Sequence, residues 1–244
     1  MRRLVLILLA AGLVPVPGAA AVLDTATVSF PGVNCLFDAD CTVTVQDTSA
    51  HFTLPAASGE AFLQSRTWPP GETGTPGAGL TAYLYRLDLR QPAGLTALPC
   101  VTSMKIEAGS IASLDYDGDS APEQIFIGTT GGLGSIGPSS VEKSGTQVTF
   151  HFQPPVCAGS SPGTGESSYF FGFASQHAPH DVTATLASSL GGTLTVAARS
   201  PKLLWIPWPP PWWSWLIPAA LLIAWLGTGY FSRRKFNSLD AGRH

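Results

Sequence analysis

Tyr83-Leu84-Tyr85-Arg86-Leu87-Asp88-Leu89 sets large apolar residues at every second position. That is the side-chain period of a β-strand, and it puts Tyr83, Tyr85, Leu87 and Leu89 on one face. The pattern recurs in Val148-Thr149-Phe150-His151-Phe152, where Thr149 and His151 take the opposite face, and in Tyr169, Phe171 and Phe173. Residues 25–30, 42–45, 101–108, 124–127, 182–186 and 193–197 are further strand candidates. Segments rich in Gly, Pro and Ser (69–79, 128–140 and 158–165) separate them, and no stretch of the body carries a helical period. About ten short strands with turn punctuation predict an all-β fold, an antiparallel β-sandwich or jelly roll over residues 22–200.

The 244 residues are 45% hydrophobic and 12% charged, and Gly (26) and Pro (21) are abundant. The charged fraction is about half the usual one. This excludes a disordered polyelectrolyte, a coiled coil and a nucleic-acid binder that works through Lys and Arg. Between the chain ends, seven basic residues face fifteen acidic ones, so the body is net −8 while its flanks are positive. Nucleic acid is therefore not an expected partner.

The flanks read as export signals. Arg2 and Arg3 precede an apolar run from Leu4 to Val14, a break at Pro15-Val16-Pro17-Gly18, and the small residues Ala19, Ala20 and Ala21. Residues 1–21 are thus expected to be a signal peptide, cleaved after Ala20 or Ala21. The run is about half a bilayer long as a helix, too short to span. At the other end, residues 212–231 form a second apolar block, about 30 Å long as a helix and matched to the bilayer core. Trp212, Trp213 and Trp215 lie at its outer edge, and Arg233, Arg234 and Lys235 follow it at once. The expectation is a C-terminal transmembrane helix, with residues 232–244 as a cytoplasmic basic tail. Residues 201–211 hold five prolines and two tryptophans. They are expected to be a stiff stem outside any regular helix or sheet, beginning at Ser200-Pro201.

This arrangement, with Pro207 to Pro211, the span up to Phe231 and the Arg233-Arg234-Lys235 cluster, resembles bacterial surface proteins of the exosortase-sorted type, with a PEP-CTERM-like tail. The resemblance covers about forty residues and lacks a Pro-Glu-Pro motif. It implies a cell-envelope location, the lipid bilayer as partner, and a sorting protease acting on the tail.

All four cysteines lie in the exported body. An even number there reads as disulfides. Of three pairings the favoured one is Cys35 with Cys41, a short local loop, and Cys100 with Cys157, which joins distant strands. No Cys-x-x-Cys spacing supports zinc.

The strongest chemical pattern is Asp115-Tyr116-Asp117-Gly118-Asp119-Ser120-Ala121-Pro122-Glu123. Oxygen side chains at relative positions 1, 3, 5 and 9, with the Ala121 carbonyl at 7, can wrap a hard cation. The following run, Gln124 to Gly128, leaves as a strand. The segment resembles the calcium loops of FG-GAP-type repeats. That resemblance implies Asp115, Asp117, Asp119, Ala121 (carbonyl) and Glu123 as ligands of a structural Ca2+. Ser120 stands where those loops carry glycine. The alternative is a solvated acidic turn.

Weaker patterns are His177-Ala178-Pro179-His180-Asp181, read as a turn with two imidazoles, and Ser167, which lacks the second glycine of a nucleophile elbow. Gly131-Gly132-Leu133-Gly134-Ser135 has no lysine or helix behind it to cradle phosphate. Trp68 is the body's only tryptophan, a thin basis for a sugar platform. The expected function is therefore non-enzymatic, structural or interactive, at the envelope. A carbohydrate- or protein-binding adhesin is the first alternative, with an envelope protein or polysaccharide as partner. An envelope hydrolase using His151, His177 or His180 is the second.

Overall fold

The computed structural model describes residues 20–202. Most of the signal peptide, the stem beyond Lys202, the span with Trp212, Trp213 and Trp215, and the cluster Arg233, Arg234 and Lys235 lie outside the described residues. Among the described residues no helix is long and apolar enough to cross a membrane.

In chain order the elements are β1 (Ala21–Val22), β2 (Thr25–Ser29), α1 (Phe30–Asn34), β3 (Gln46–Phe52), β4 (Ala61–Thr67), β5 (Thr81–Asp88) and β6 (Cys100–Glu107). They continue with β7 (Ile125–Thr130), β8 (Ser140–Ser144), β9 (Gln147–Cys157), β10 (Phe170–Ser175), β11 (Pro179–Ser188) and β12 (Thr193–Pro201). Two six-stranded sheets result, ordered β1-β8-β9-β6-β11-β12 and β2-β7-β10-β5-β4-β3. This is the expected β-sandwich.

The alternating runs meet between the sheets. Tyr83, Tyr85, Leu87, Val148, Phe150, Phe152, Phe171 and Phe173 all belong to one buried cluster. Phe150 and Phe171 lie 4.7 Å apart between ring centroids, bridging the sheets. The Tyr85 hydroxyl donates to the Arg199 carbonyl across the same gap at 2.7 Å. Burial of these rings supplies the apolar area that holds two sheets face to face.

Four details correct the expectations. First, the sheets are not wholly antiparallel: β2 pairs parallel with β7, Thr25 opposite Ile125. The N-terminal segment is shared between the sheets, since Ala21 pairs with Lys143 on one and β2 joins the other. Crossing over at Leu23-Asp24, it enters the second sheet running the same way as β7.

Second, residues 42–45 are not a strand. The strand begins at Gln46, and the Thr42 N–H is spent on Asp38 Oδ1 at 3.1 Å. Third, Ser200 and Pro201 belong to β12, opposite His180 and Pro179. β12 is an edge strand, where a proline that cannot donate is tolerated, and the Lys202 N–H still donates to the Ala178 carbonyl. Fourth, Pro179 opens β11 and is not a turn, so His180 and Asp181 lie on a strand.

β5 is buried along its whole length, on both faces. The outer face carries a second cluster in which Leu84, Phe126 and Phe170 meet Trp68, Val33, Phe37 and Tyr116. α1 and the turn after it form its lid. Phe37 lies edge-on to Trp68 with centroids 5.3 Å apart. The lid is tied down by Gly77 N–H to the Leu36 carbonyl and Glu72 N–H to the Phe37 carbonyl.

Candidate functional site

Both favoured disulfides are formed. Cys35–Cys41 clasps the turn that carries Phe37, and Cys100–Cys157 joins directly opposed residues of β6 and β9. No cysteine is free. Just beyond the second bridge the β6–β9 register shifts, so that Thr102 faces the segment containing Pro154 and Pro155. Two residues without an N–H interrupt the ladder there, and the disulfide secures its end.

The acidic segment forms a closed loop. Leu114 and Glu123 exchange both backbone hydrogen bonds at 2.9 Å. Inside that bridge, Asp115 Oδ1 accepts from the Gly118 N–H (2.7 Å) and Oδ2 from the Ser120 N–H (3.0 Å). Gly118 (φ 84°) and Ser120 (φ 74°) both take left-handed backbone, a conformation that costs the serine what glycine takes freely. The bridge swings Glu123, 7% exposed, back over the loop, where its Oε2 accepts the Tyr116 N–H at 3.1 Å. Tyr116 itself plunges into the outer cluster against Phe126, centroids 4.9 Å apart, and so anchors the loop.

Carboxylate oxygens of Asp115, Asp117 and Glu123 all come within 4.8 Å of one another. Asp119 stands outside this group, its Oδ1 accepting the Ala121 N–H at 2.7 Å. Three of the expected side-chain ligands thus converge. The spacing of oxygen residues along the chain indicates all three, at relative positions 1, 3 and 9. Glu123 arrives through the backbone bridge. Three carboxylates this close repel at neutral pH unless a cation or solvent screens them.

The other marked residues have structural partners. Ser167 is buried, donating its hydroxyl to the Leu87 carbonyl (3.1 Å) and accepting from Arg86 Nη1 (3.0 Å). No histidine ring among the described residues hydrogen-bonds a serine hydroxyl. His180 Nδ1 lies 2.9 Å from the Ser200 carbonyl, and His177 and His180 do not enter a metal-type cluster there. Glycines 132 and 134 sit where a Cβ would strike Phe30 and the Ser168 backbone, so they serve close packing. Trp68 is 3% exposed and offers no open ring face.

A polar ladder across β3, β4 and β5 left no mark in the sequence. Gln64 donates to Asp47 Oδ2 (2.6 Å) and accepts from Arg86 Nε (2.9 Å), and Arg86 Nη1 donates to Asp88 Oδ2 (2.9 Å). Arg90 closes the ladder on the same carboxylate. Asp88 is 1% exposed. Burial alone would raise its pKa, but the Arg90 hydrogen bonds and the charges of Arg86 and Arg90 outweigh it and hold the carboxyl below its usual range. The Arg86 guanidinium also lies over the Phe62 and Phe170 rings. In the alternating reading of β5, Arg86 and Asp88 fall on the face away from the core, which hid their burial.

No family model, no curated protein and no solved structure matches this chain.

Proposed function

We propose that this chain is an exported, disulfide-stapled β-sandwich held at the cell envelope by its C-terminal segment, with a structural or interaction role outside the cytosol. The carrying observation is that all four cysteines are paired. Such pairs persist in oxidising compartments and are rare in the reducing cytosol. Residues 212–231 serve as the membrane span and Arg233, Arg234 and Lys235 as its cytoplasmic flank. An envelope protein or polysaccharide is the partner class, and a sorting protease would act on the tail.

The test is cell fractionation combined with thiol alkylation. The full chain is expected in the membrane fraction with no reactive thiol, and a chain ending before Trp212 in the soluble exported fraction. Intact, alkylatable protein in the cytosol would overturn the proposal.

A structural calcium at Asp115, Asp117 and Glu123 is a second reading, favoured by their convergence. Hard-cation sites use such oxygen sets. Chelation should then lower the melting temperature, and Asp117→Ala should abolish that response. An unchanged melt would leave a solvated acidic turn.

A further inference from the structure

A cavity of about 410 Å³ opens where the end of β4, the start of β5 and the β10–β11 connection meet. That volume lies within the usual range of small-ligand pockets. Its walls carry hydroxyls and amides, among them Thr67, Thr81, Gln46 and Gln176, beside the apolar surfaces of Pro70 and Pro179. Among the described residues no charged side chain lines it.

Two of its hydroxyls belong to nearly buried residues and donate to no described residue, and the buried indole N–H of Trp68, another residue of the wall, has no partner among the described residues. Thr67 is 2% exposed and Thr81 5%. The Thr81 hydroxyl bonds to no described residue. Thr67 Oγ1 only accepts a long contact from Arg199 Nη1 at 3.4 Å and donates to no described residue. Buried hydroxyls almost always find partners, so donors left over at a cavity wall mark the place of an acceptor.

We infer that this cavity binds a neutral, hydroxyl-rich ligand, a saccharide of one or two residues. The charge beside the wall, Arg199, already donates Nη1 to Gln46 and Thr67 and holds its Nε 3.9 Å from Asp181, so an ionic ligand would lose its hydration against a guanidinium that is engaged elsewhere. A purely apolar one would strand the threonine and glutamine groups. An extended peptide would need backbone partners along β3 or β12, and beside the cavity the gap between those strands is crossed by Arg199 Nη1 on β12 donating to Gln46 Oε1 on β3 at 3.1 Å. A sugar offers vicinal hydroxyls to the polar wall and C–H faces to the prolines. The inference deepens the interaction role proposed above, but it is read on purified protein and does not depend on cellular location.

The test titrates the purified full chain with glucose, galactose, mannose and N-acetylglucosamine and their β1,4-linked dimers, followed by calorimetry and saturation-transfer NMR. At least one should bind saturably, and its phosphorylated form no tighter. Thr81→Val, which keeps the side-chain shape, and Gln176→Ala, at an exposed position, should each weaken binding by up to about tenfold. The inference is overturned if no sugar saturates, if both variants bind as the parent does, or if a proline-rich peptide occupies the cavity and sugars do not. Sugar binding by protein found reduced in the cytosol would sink the export proposal alone; failure of all sugars with correct export would sink only this one.

Discussion

Replacing Cys100 and Cys157 together with alanine removes a bridge that spans 57 residues of sequence, whereas Cys35–Cys41 spans six. In the folded protein the long bridge secures only the short end of the ladder beyond the register shift, because β6 and β9 remain paired from Ser103 opposite His151 to Glu107 opposite Gln147. Its effect lies in the unfolded chain, where it forbids the ends of a long loop to separate. Loop-closure entropy puts the loss at about 4.2 kcal/mol for Cys100–Cys157 and about 2.4 kcal/mol for Cys35–Cys41. Equilibrium unfolding in urea, followed by circular dichroism, measures both. The long-bridge variant should also show a larger urea dependence, since its unfolded state is less compact. An equal or greater loss for Cys35/Cys41 would refute the loop-length reasoning. It would place the cost in native contacts, where that short bridge holds Phe37 over Trp68.

Two further outcomes are expected. Phe171→Ala empties the centre of the inter-sheet core and should cost about 3–5 kcal/mol in the same assay; a loss below about 1 kcal/mol would mean the sheets do not depend on that ring. Asp88→Asn leaves Arg86 buried beside a weakened partner and should cost about 3–5 kcal/mol at neutral pH. Because the folded Asp88 pKa is depressed, its stabilisation is complete above the unfolded carboxylate value of about 3.9 and is lost as pH falls below it. The variant should lack that share of the acid loss, and parallel pH–stability curves for the two proteins would show the Asp88 assignment to be wrong.

The inter-sheet core was legible because its large apolar residues recur at every second position, and Arg86, Asp88, Thr149 and His151 between them differ enough in polarity to leave a period of two. β3, Gln-Asp-Thr-Ser-Ala-His-Phe, is an edge strand with mostly exposed residues, so nothing alternates. β4 is hidden for another reason: the face that begins with Ala61 and Leu63 continues with Ser65 and Thr67, and Gln64 and Arg66 on the other face both bond Asp47, so no apolar alternation survives. In the acidic loop the spacing named Asp115, Asp117 and Glu123, whereas the backbone bridge that brings Glu123 inward and the turn that leaves Asp119 outside were not legible.

By itself, then, the amino-acid order determined the strand-rich class and the inter-sheet faces, which follow from residue type and local spacing, and it favoured one of three cysteine pairings. Only the tertiary structure decided which cysteines pair, that β2 runs parallel to β7, that a second cluster covers β5, and that Thr67 and Thr81 line one cavity. These depend on which distant segments share a surface, and local periodicity holds no record of that.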